Sequence, residues 1–528
     1  MPGSPSVPTF NLWNEQWIEL ECSEGGTERR SIQQALLQAH EFMSIYEPSP
    51  LVVVDIHRLL VAIVQAALNP QKNADLKRLW QTGRLPATVI QDFGAQYVER
   101  FDLFSTSAPF LQSGDLPLQA GKGDRIKTVA YLIAEIPAGT EITHYRHGAE
   151  DAQVFCPACA AAGLVTIPPF ATSGGAGIKP SINGVPPIYV LPGGRSLFES
   201  LAASLLRPDY QPNMLVREQD EPWWLRRPDV KRGQEVREVG YLQSLTFPAR
   251  RVRLHPEPFG AGCTRCGRVS QWGVRSMVFE MGECRPKEAE FWFDPFAAYK
   301  LPESQGKDKP TPIRPTLGRA TWREFAGLFL LEQSDTADPK KKKIQTKRPA
   351  VLNQIAELEI GADLPAYPFR CIGMRTDFKA KVFEWIDAGF DVPPALLRDE
   401  RTGLLVRESM DFATGCAGVI TGAFREVFGG KSRKQERRRT LKTRMRDEYW
   451  AALAEPFRHF VLAVAMPDHQ VLERRHWAEA VVEQAQTAFS RAAAATGDDA
   501  ASLRKRSQGE RLCQIRLARK RKEYLPDE

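Results

Sequence analysis

No run of some eighteen uninterrupted apolar residues occurs in the sequence, so composition offers no membrane span. The nearest approach, Leu51 to Leu68, is broken by Asp55, His57, Arg58 and Gln65 and reads as a buried helix. Met1-Pro-Gly-Ser-Pro5 has neither a basic stretch nor an apolar core, so no export signal is read and a cytoplasmic location without membrane contact is expected. Cysteine is scarce, nine in 528 residues, which excludes a disulfide scaffold. Histidine is scarcer, eight in all, and none falls into a catalytic pattern. His144 and His147 are spaced like a ligand pair, yet no helix with an intervening Glu surrounds them. His40, His57, His459, His469 and His476 lack a serine or cysteine partner pattern. No internal repeat is visible, and no Gly-Lys-Ser/Thr ending marks a nucleotide-binding loop.

What is present suits a large globular chain. Apolar residues make up 43% and charged residues 26%, and 528 residues exceed the span of one core. The expected class is α+β: a large, loop-rich mixed domain over 1–400 followed by a C-terminal four-helix bundle over 401–528. Phe10 to Leu20 mixes aromatic and branched residues as strands do. Ser31 with Gln34 forms a capping box, and Ile32, Leu36, Ala39 and Met43 recur at helical spacing, predicting a helix over 31–46. Further helices are expected over 51–68, 74–82 and 87–104, with Asn69-Pro70 and Gly83 as stops. Ile188–Leu191 and Arg251–Leu254 read as strands, and 195–206 and 322–333 as helices. Residues 334–348 hold a solvated lysine run in a surface loop. Phe369–Met374 and Ala380–Trp385 read as the arms of a β-hairpin. Beyond residue 400, helices are expected over 403–428, 436–465, 470–496 and 500–523.

Charge is unevenly spread. Lys431 to Arg446 carries a net +8, and Leu503 to Lys522 another +8, so with a chain total of +7 the remainder stands at −9. One basic helix is ordinarily a solvated face. Two in one small bundle, within an otherwise acidic chain, point to nucleic acid. Arg437, Arg438, Lys442, Arg444, Arg504 and Arg511 are the candidate phosphate contacts.

The strongest local motif pairs Cys156-Pro-Ala-Cys159 with Cys263-Thr-Arg-Cys266. Two thiolates two residues apart present both sulfurs to one ion, and two such pairs complete a tetrahedral site for structural zinc. With all four positions taken by sulfur, no place is left for a reactive water. The alternative is two reduced, metal-free pairs. The run Ala171-Thr-Ser-Gly-Gly-Ala-Gly-Ile-Lys179, continuing to Asn183, is a glycine segment whose backbone can approach a groove or phosphate closely. A structural turn would use the same residues.

In order along the chain, Phe10-Asn-Leu-Trp-Asn-Glu-Gln-Trp-Ile18, Ser31–Leu37, Pro109-Phe-Leu-Gln112, the first cysteine pair with Ser173–Gly177, Ile182-Asn-Gly-Val-Pro-Pro-Ile-Tyr189, the second cysteine pair and Gly373-Met-Arg-Thr-Asp377 resemble the CasA family. CasA proteins are the large subunits of type I-E CRISPR Cascade complexes. The resemblance implies a DNA-binding subunit, not an enzyme, that inspects double-stranded DNA for a protospacer-adjacent motif and starts R-loop formation. It implies CRISPR RNA, the backbone, small and RNA-end subunits, and an effector helicase-nuclease as partners. Mapped onto this sequence, the motif-reading glycine segment is Gly174, Gly175, Ala176 and Gly177, with Lys179 and Asn183 beside it; Ala176 stands where the family has glycine. The strand-separating wedge maps to Arg375, Thr376, Asp377, Phe378 and Lys379, with Lys379 first and Phe378 second as the inserted side chain. A basic finger maps to Arg275 or Lys287. The loop near the RNA end maps to Gly139, Thr140, Thr143 and His144. Two other readings stay open: a structural scaffold subunit, and a zinc-stapled nucleic-acid-processing enzyme.

Overall fold

The computed structural model describes residues 8–118, 125–136, 153–172, 178–212, 220–225, 230–302, 309–331, 345–376, 382–429 and 435–526. The expected lysine-run loop falls largely on 332–344, outside the described residues. Two compact units form: Met1–Pro315 with Pro349–Ile360 and Pro368–Phe390, and Thr316–Arg348 with Gly361–Tyr367 and Asp391–Glu528. Segments before residue 400 are thus grouped in space with the C-terminal helices.

The first unit opens on strand β1 (Ile18–Cys22), paired with β2 (Thr27–Arg30). Ser31 then caps helix α1 (Ile32–Leu37), and both bonds of the capping box are made, Gln34 N–H to Ser31 Oγ at 3.2 Å and Ser31 N–H to Gln34 Oε1 at 3.1 Å. The helix ends well short of the expected residue 46. Phe42–Ile45 is instead strand β3, with Leu20 opposite Ile45, and Met43 is exposed. Helical spacing loses here because β1 offers a free edge, and pairing satisfies backbone groups that the helix would have satisfied alone.

Helix α2 (Pro50–Leu68) starts at the Ser49 cap with Pro50 in its first turn and ends on Asn69 at φ 41°. It is long and apolar enough to cross a membrane, but 83% of that stretch is buried in protein. Its interrupting polar residues are buried too. Arg58 makes a two-pronged ion pair with Asp294 at 3.1 and 2.9 Å, and His57 Nε2 lies 2.9 Å from Ser204 Oγ. Among the described residues Asp55 has no hydrogen-bond partner, and burial pushes its carboxyl well above the usual range, with Arg58 pulling the other way. Helices α3 (Asn73–Thr82, stopped by Gly83) and α4 (Ala87–Tyr97) follow, and the chain tightens into a 3₁₀ turn over Val98–Phe101.

After β4 (Ile126–Thr128) come α5 (Pro157–Leu164), α6 (Ile167–Phe170), β5 (Ile188–Pro192), α7 (Leu197–Ser204) and α8 (Tyr241–Leu245). A long hairpin of β6 (Arg250–Gly262) and β7 (Val269–Met281) completes a sheet in the order β4-β7-β6. A second sheet joins β5 to β8 (Tyr367–Thr376) and β9 (Val382–Val392), in the order β9-β8-β5.

In the second unit the expected helices are α9 (Glu400–Phe428), α10 (Gln435–Ala452), α11 (Ala454–Val464), α12 (Gln470–Ala494) and α13 (Ala500–Tyr524). The single helix expected over 436–465 is two, broken at Leu453. Pro456 explains the break: it supplies no N–H and its ring crowds the preceding turn, so it fits only in the first turn of a new helix. Buried polar ties run between the helices: Trp477 Nε1–H to Ser409 O at 2.9 Å, and Tyr449 Oη–H to Ala413 O at 2.8 Å.

Candidate functional site

Two thiols come from a helix start and two from a hairpin tip. Cys156 is the N-cap of α5 and Cys159 lies in its first turn, and the Cys156 N–H donates to Cys263 Sγ at 3.2 Å. Cys263 and Cys266 occupy the turn between β6 and β7. Cys263 N–H bonds Arg268 O, Gly267 N–H returns to Cys263 O, and Gly267 takes φ +73°, which a side chain would resist. All four Sγ atoms lie within 4.8 Å of one another, and Cys156 and Cys266 sulfurs are 3.7 Å apart. That is far from a disulfide and close to the edge, about 3.8 Å, of a tetrahedron with metal–sulfur bonds of about 2.3 Å.

So crowded, the thiols divide their protons. Cys159 is pushed far up as it donates to Cys156, Cys263 and Cys266, whereas Cys266, accepting from Cys159, falls to about 5. Cys263 is also held low by the hydrogen bonds from Cys156 and Cys159. Two arginines flank the cluster. Arg265 pairs with Glu47 and lies 3.9 Å from Cys159 Sγ; burial opposes the Arg29 charge, but Cys266 and Glu19 raise it. Each guanidinium also meets a carboxylate, Arg29 with Glu19 and Arg265 with Glu47, so the pair supplies oriented N–H donors to the sulfurs of a four-thiolate site rather than cancelling its net charge. The residues therefore fit a four-coordinate, sulfur-preferring ion. The cysteine spacing announced the ligands; Arg29 and the Arg265–Glu47 pair carried no such signal.

The base of the glycine segment is equally defined. Gly174, Gly175, Ala176 and Gly177 lie outside the described residues, as do Gly139, Thr140, Thr143 and His144 of the RNA-end loop and Asp377, Phe378 and Lys379 of the hairpin tip. Around them, Ser181 N–H bonds Ala171 O at 2.8 Å, closing the segment at its root. Lys179 is exposed and its amine pairs with Glu235 at 3.0 Å. Asn183, expected to face DNA, turns inward instead: its Nδ2 reaches Tyr189 Oη at 2.9 Å and Asp294 Oδ2 at 3.0 Å. The amide nitrogen is thereby shared between the Tyr189 hydroxyl and the carboxylate of the Arg58–Asp294 pair, because a buried carboxylate has lone pairs left to satisfy.

Strand register sets where the hairpin starts. Gly373 of β8 lies opposite Ile188, the first residue of β5, and the two strands run antiparallel. The chain entering β5 from the glycine segment and the chain leaving β8 toward residue 377 therefore emerge from the same end of one sheet. Arg375 reaches Glu384 at 3.5 Å on the returning strand, and Thr376 ends β8.

Of the two basic-finger candidates, Arg275 projects from the middle of β7 and pairs with Glu257 at 3.3 Å. Lys287 is exposed, three residues beyond a backbone bridge between Cys284 and Glu235, the carboxylate that meets Lys179. In the second unit, Arg437 donates to Ala495 O and Arg444 to Glu448. Among the described residues no carboxylate pairs with Arg438, Lys442, Arg504 or Arg511, and Arg504 and Arg511 stand one heptad apart on α13 in solvent. Several basic neighbours, Arg506, Arg516, Arg519 and Lys520, are neutralised locally. Burial, reinforced by the Arg58 charge, holds His57 neutral down to about 3.

With this geometry in hand, the chain belongs to the family described as CRISPR-associated protein Cse1, whose sequence pattern it matches over residues 11–488. The CasA/Cse1 protein of Thermus thermophilus is 28% identical over 528 residues, covering 96% of each chain. The Cse1 structure from Acidimicrobium ferrooxidans has a TM-score of 0.80 at 22% identity, covering 99% of this chain and 100% of the other. A chain of a CRISPR RNA-guided surveillance complex shares the fold with a TM-score of 0.72 at 18% identity, covering 96% and 99%.

Proposed function

We propose that this chain is the large subunit of a type I-E, RNA-guided surveillance complex, where it reads the protospacer-adjacent motif of double-stranded DNA and starts its opening. The observation that supports the reading is the common sheet end at Ile188 and Gly373, where the chain that follows the glycine segment enters β5 and the chain leading to the hairpin tip leaves β8. A reader and a wedge rooted side by side can recognise a short motif and unstack the next base step in one docking event. Gly174, Gly175, Ala176 and Gly177 approach the groove, Lys287 serves as the basic finger, and Lys379 or Phe378 enters the duplex. Lys179, Arg375 and Thr376 flank these elements, and Gly139, Thr140, Thr143 and His144 lie toward the RNA end. Guide RNA pairing, not this chain, reads the long target sequence.

The separated strands then follow Arg438, Lys442, Arg504 and Arg511 in the cytoplasm, alongside the backbone, small and RNA-end subunits, and the assembly recruits an effector helicase-nuclease. The chain itself is no enzyme in this reading, and zinc at the four cysteines is structural. The test is binding of the reconstituted complex to duplexes with randomised flanking bases, with the chain present, absent, or carrying Gly175→Asp or Lys379→Ala. Flank-dependent binding is expected to vanish without the chain and to weaken in both variants. Discrimination that survives removal of the chain would leave it a scaffold.

A further inference from the structure

Arg250, the first residue of β6, is 4% exposed, and among the described residues no carboxylate pairs with it. Its guanidinium donates to main-chain carbonyls, Nη1 to Lys179 O at 2.9 Å and Ala249 O at 2.6 Å and Nη2 to Thr172 O at 2.5 Å, with Met281 Sδ a further, weaker acceptor 4.0 Å from Nη1. Burial alone draws its pKa down to about 10. A cation held this way is costly, because carbonyl dipoles replace water without neutralising the charge. An apolar residue would fill a buried strand position at lower cost. What a guanidinium adds is a planar fork that holds two acceptors at a set separation, which neither an ammonium nor a methyl group does.

Those two acceptors are the informative part. Thr172 and Lys179 are the last described residue but none before the glycine segment and the second described residue after it, on either side of 173–177. Lys179 is further held by its own N–H, 3.2 Å from Met281 Sδ, and Met281 lies opposite Arg250 in the β6–β7 register. One buried side chain thus ties both flanks of the segment to the base of the long hairpin. We propose that Arg250 is a positioning residue for motif reading, setting the separation of Thr172 and Lys179; this rests on the glycine segment being the motif reader.

The test uses the reconstituted complex carrying Arg250→Met, Arg250→Lys or Gly175→Asp, with duplexes bearing cognate or scrambled flanking bases and a target opened in advance by mismatches. Arg250→Met is expected to lower the cognate-to-scrambled binding ratio about tenfold, the size of one lost specific contact. Binding to the opened target should stay unchanged, and Arg250→Lys should recover part of the ratio. Should Arg250→Met keep the ratio while Gly175→Asp loses it, Arg250 is no positioning residue, though the segment remains the reader. If both variants keep it, the reading of the segment fails and this proposal with it. Equal losses on closed and opened targets would mark a general structural role and overturn the proposal. Should Arg250→Met fail to assemble, Arg250→Lys alone decides, by a reduced or an unchanged ratio; failure of both to assemble makes Arg250 a folding residue and overturns the proposal.

Discussion

In the first unit Arg58, Arg250 and Arg253 are each at most 4% exposed, whereas in the second Arg437, Arg444, Arg504 and Arg511 stand in solvent. The same side chain is used for opposite ends. Buried, it gives up hydration and holds carbonyls or a carboxylate at fixed positions; exposed, it keeps hydration and contributes a long-range field. Counting charges along the chain detects the second use and is blind to the first. The net of +8 in each C-terminal segment therefore says where a polyanion would be attracted, and nothing about which buried guanidinium holds a loop in place.

The sharpest way to break this contrast is stability. Arg58→Ala leaves Asp294 buried and unpaired and should cost about 3–5 kcal/mol in urea unfolding. Arg504→Ala should stay within about 0.5 kcal/mol, as exposed substitutions do. Equal costs would erase the distinction. Metal removal comes next: a chelator should lower the thermal midpoint of the wild-type chain but not of Cys263→Ser, and elemental analysis should return zinc only for the former.

Asp55 tests burial by pH. Its folded pKa lies well above 3.8, so its favourable contribution is complete below that value and is lost as pH rises toward the folded value. Asp55→Asn should therefore match the wild type near pH 3.5 and gain on it at higher pH, by about 1.4 kcal/mol per unit until the folded pKa is reached. A pH-independent difference between the two would show the carboxyl to be hydrated. The smallest effect belongs to the exposed side: Arg504→Ala and Arg511→Ala should each reduce the slope of log affinity against log salt by about 0.9 and leave motif preference alone.

What was legible in the sequence shares one property, short range. The Ser31 capping box, the Asn69 and Gly83 stops and the paired Cys-x-x-Cys motifs are complete within a few residues, so their chemistry shows without a fold. Strand β3 was hidden because the partner that converts 42–45 from helix to strand lies in β1. The break at Leu453 was overlooked although Pro456 stood in plain view. Arg250 could not be singled out, since its acceptors at 172 and 179 are some seventy residues away in sequence. The inward turn of Asn183 was equally invisible, because it depends on Asp294, 111 residues downstream.

That same separation has a consequence for how the protein is made. Arg58 and Asp294 lie 236 residues apart. At about 5–20 residues per second of synthesis, the guanidinium waits roughly 12–47 s before its carboxylate exists. Until then helix α2, apolar on most of its surface, lacks its ion pair, and the helices that pack on it, α4 to α8, are complete only when the chain has reached Leu245. The ribosome-bound chain thus carries an incompletely satisfied α2 for a little under half of its synthesis, and co-translational chaperone capture is expected to concentrate on α2 and end once residues near 294 emerge.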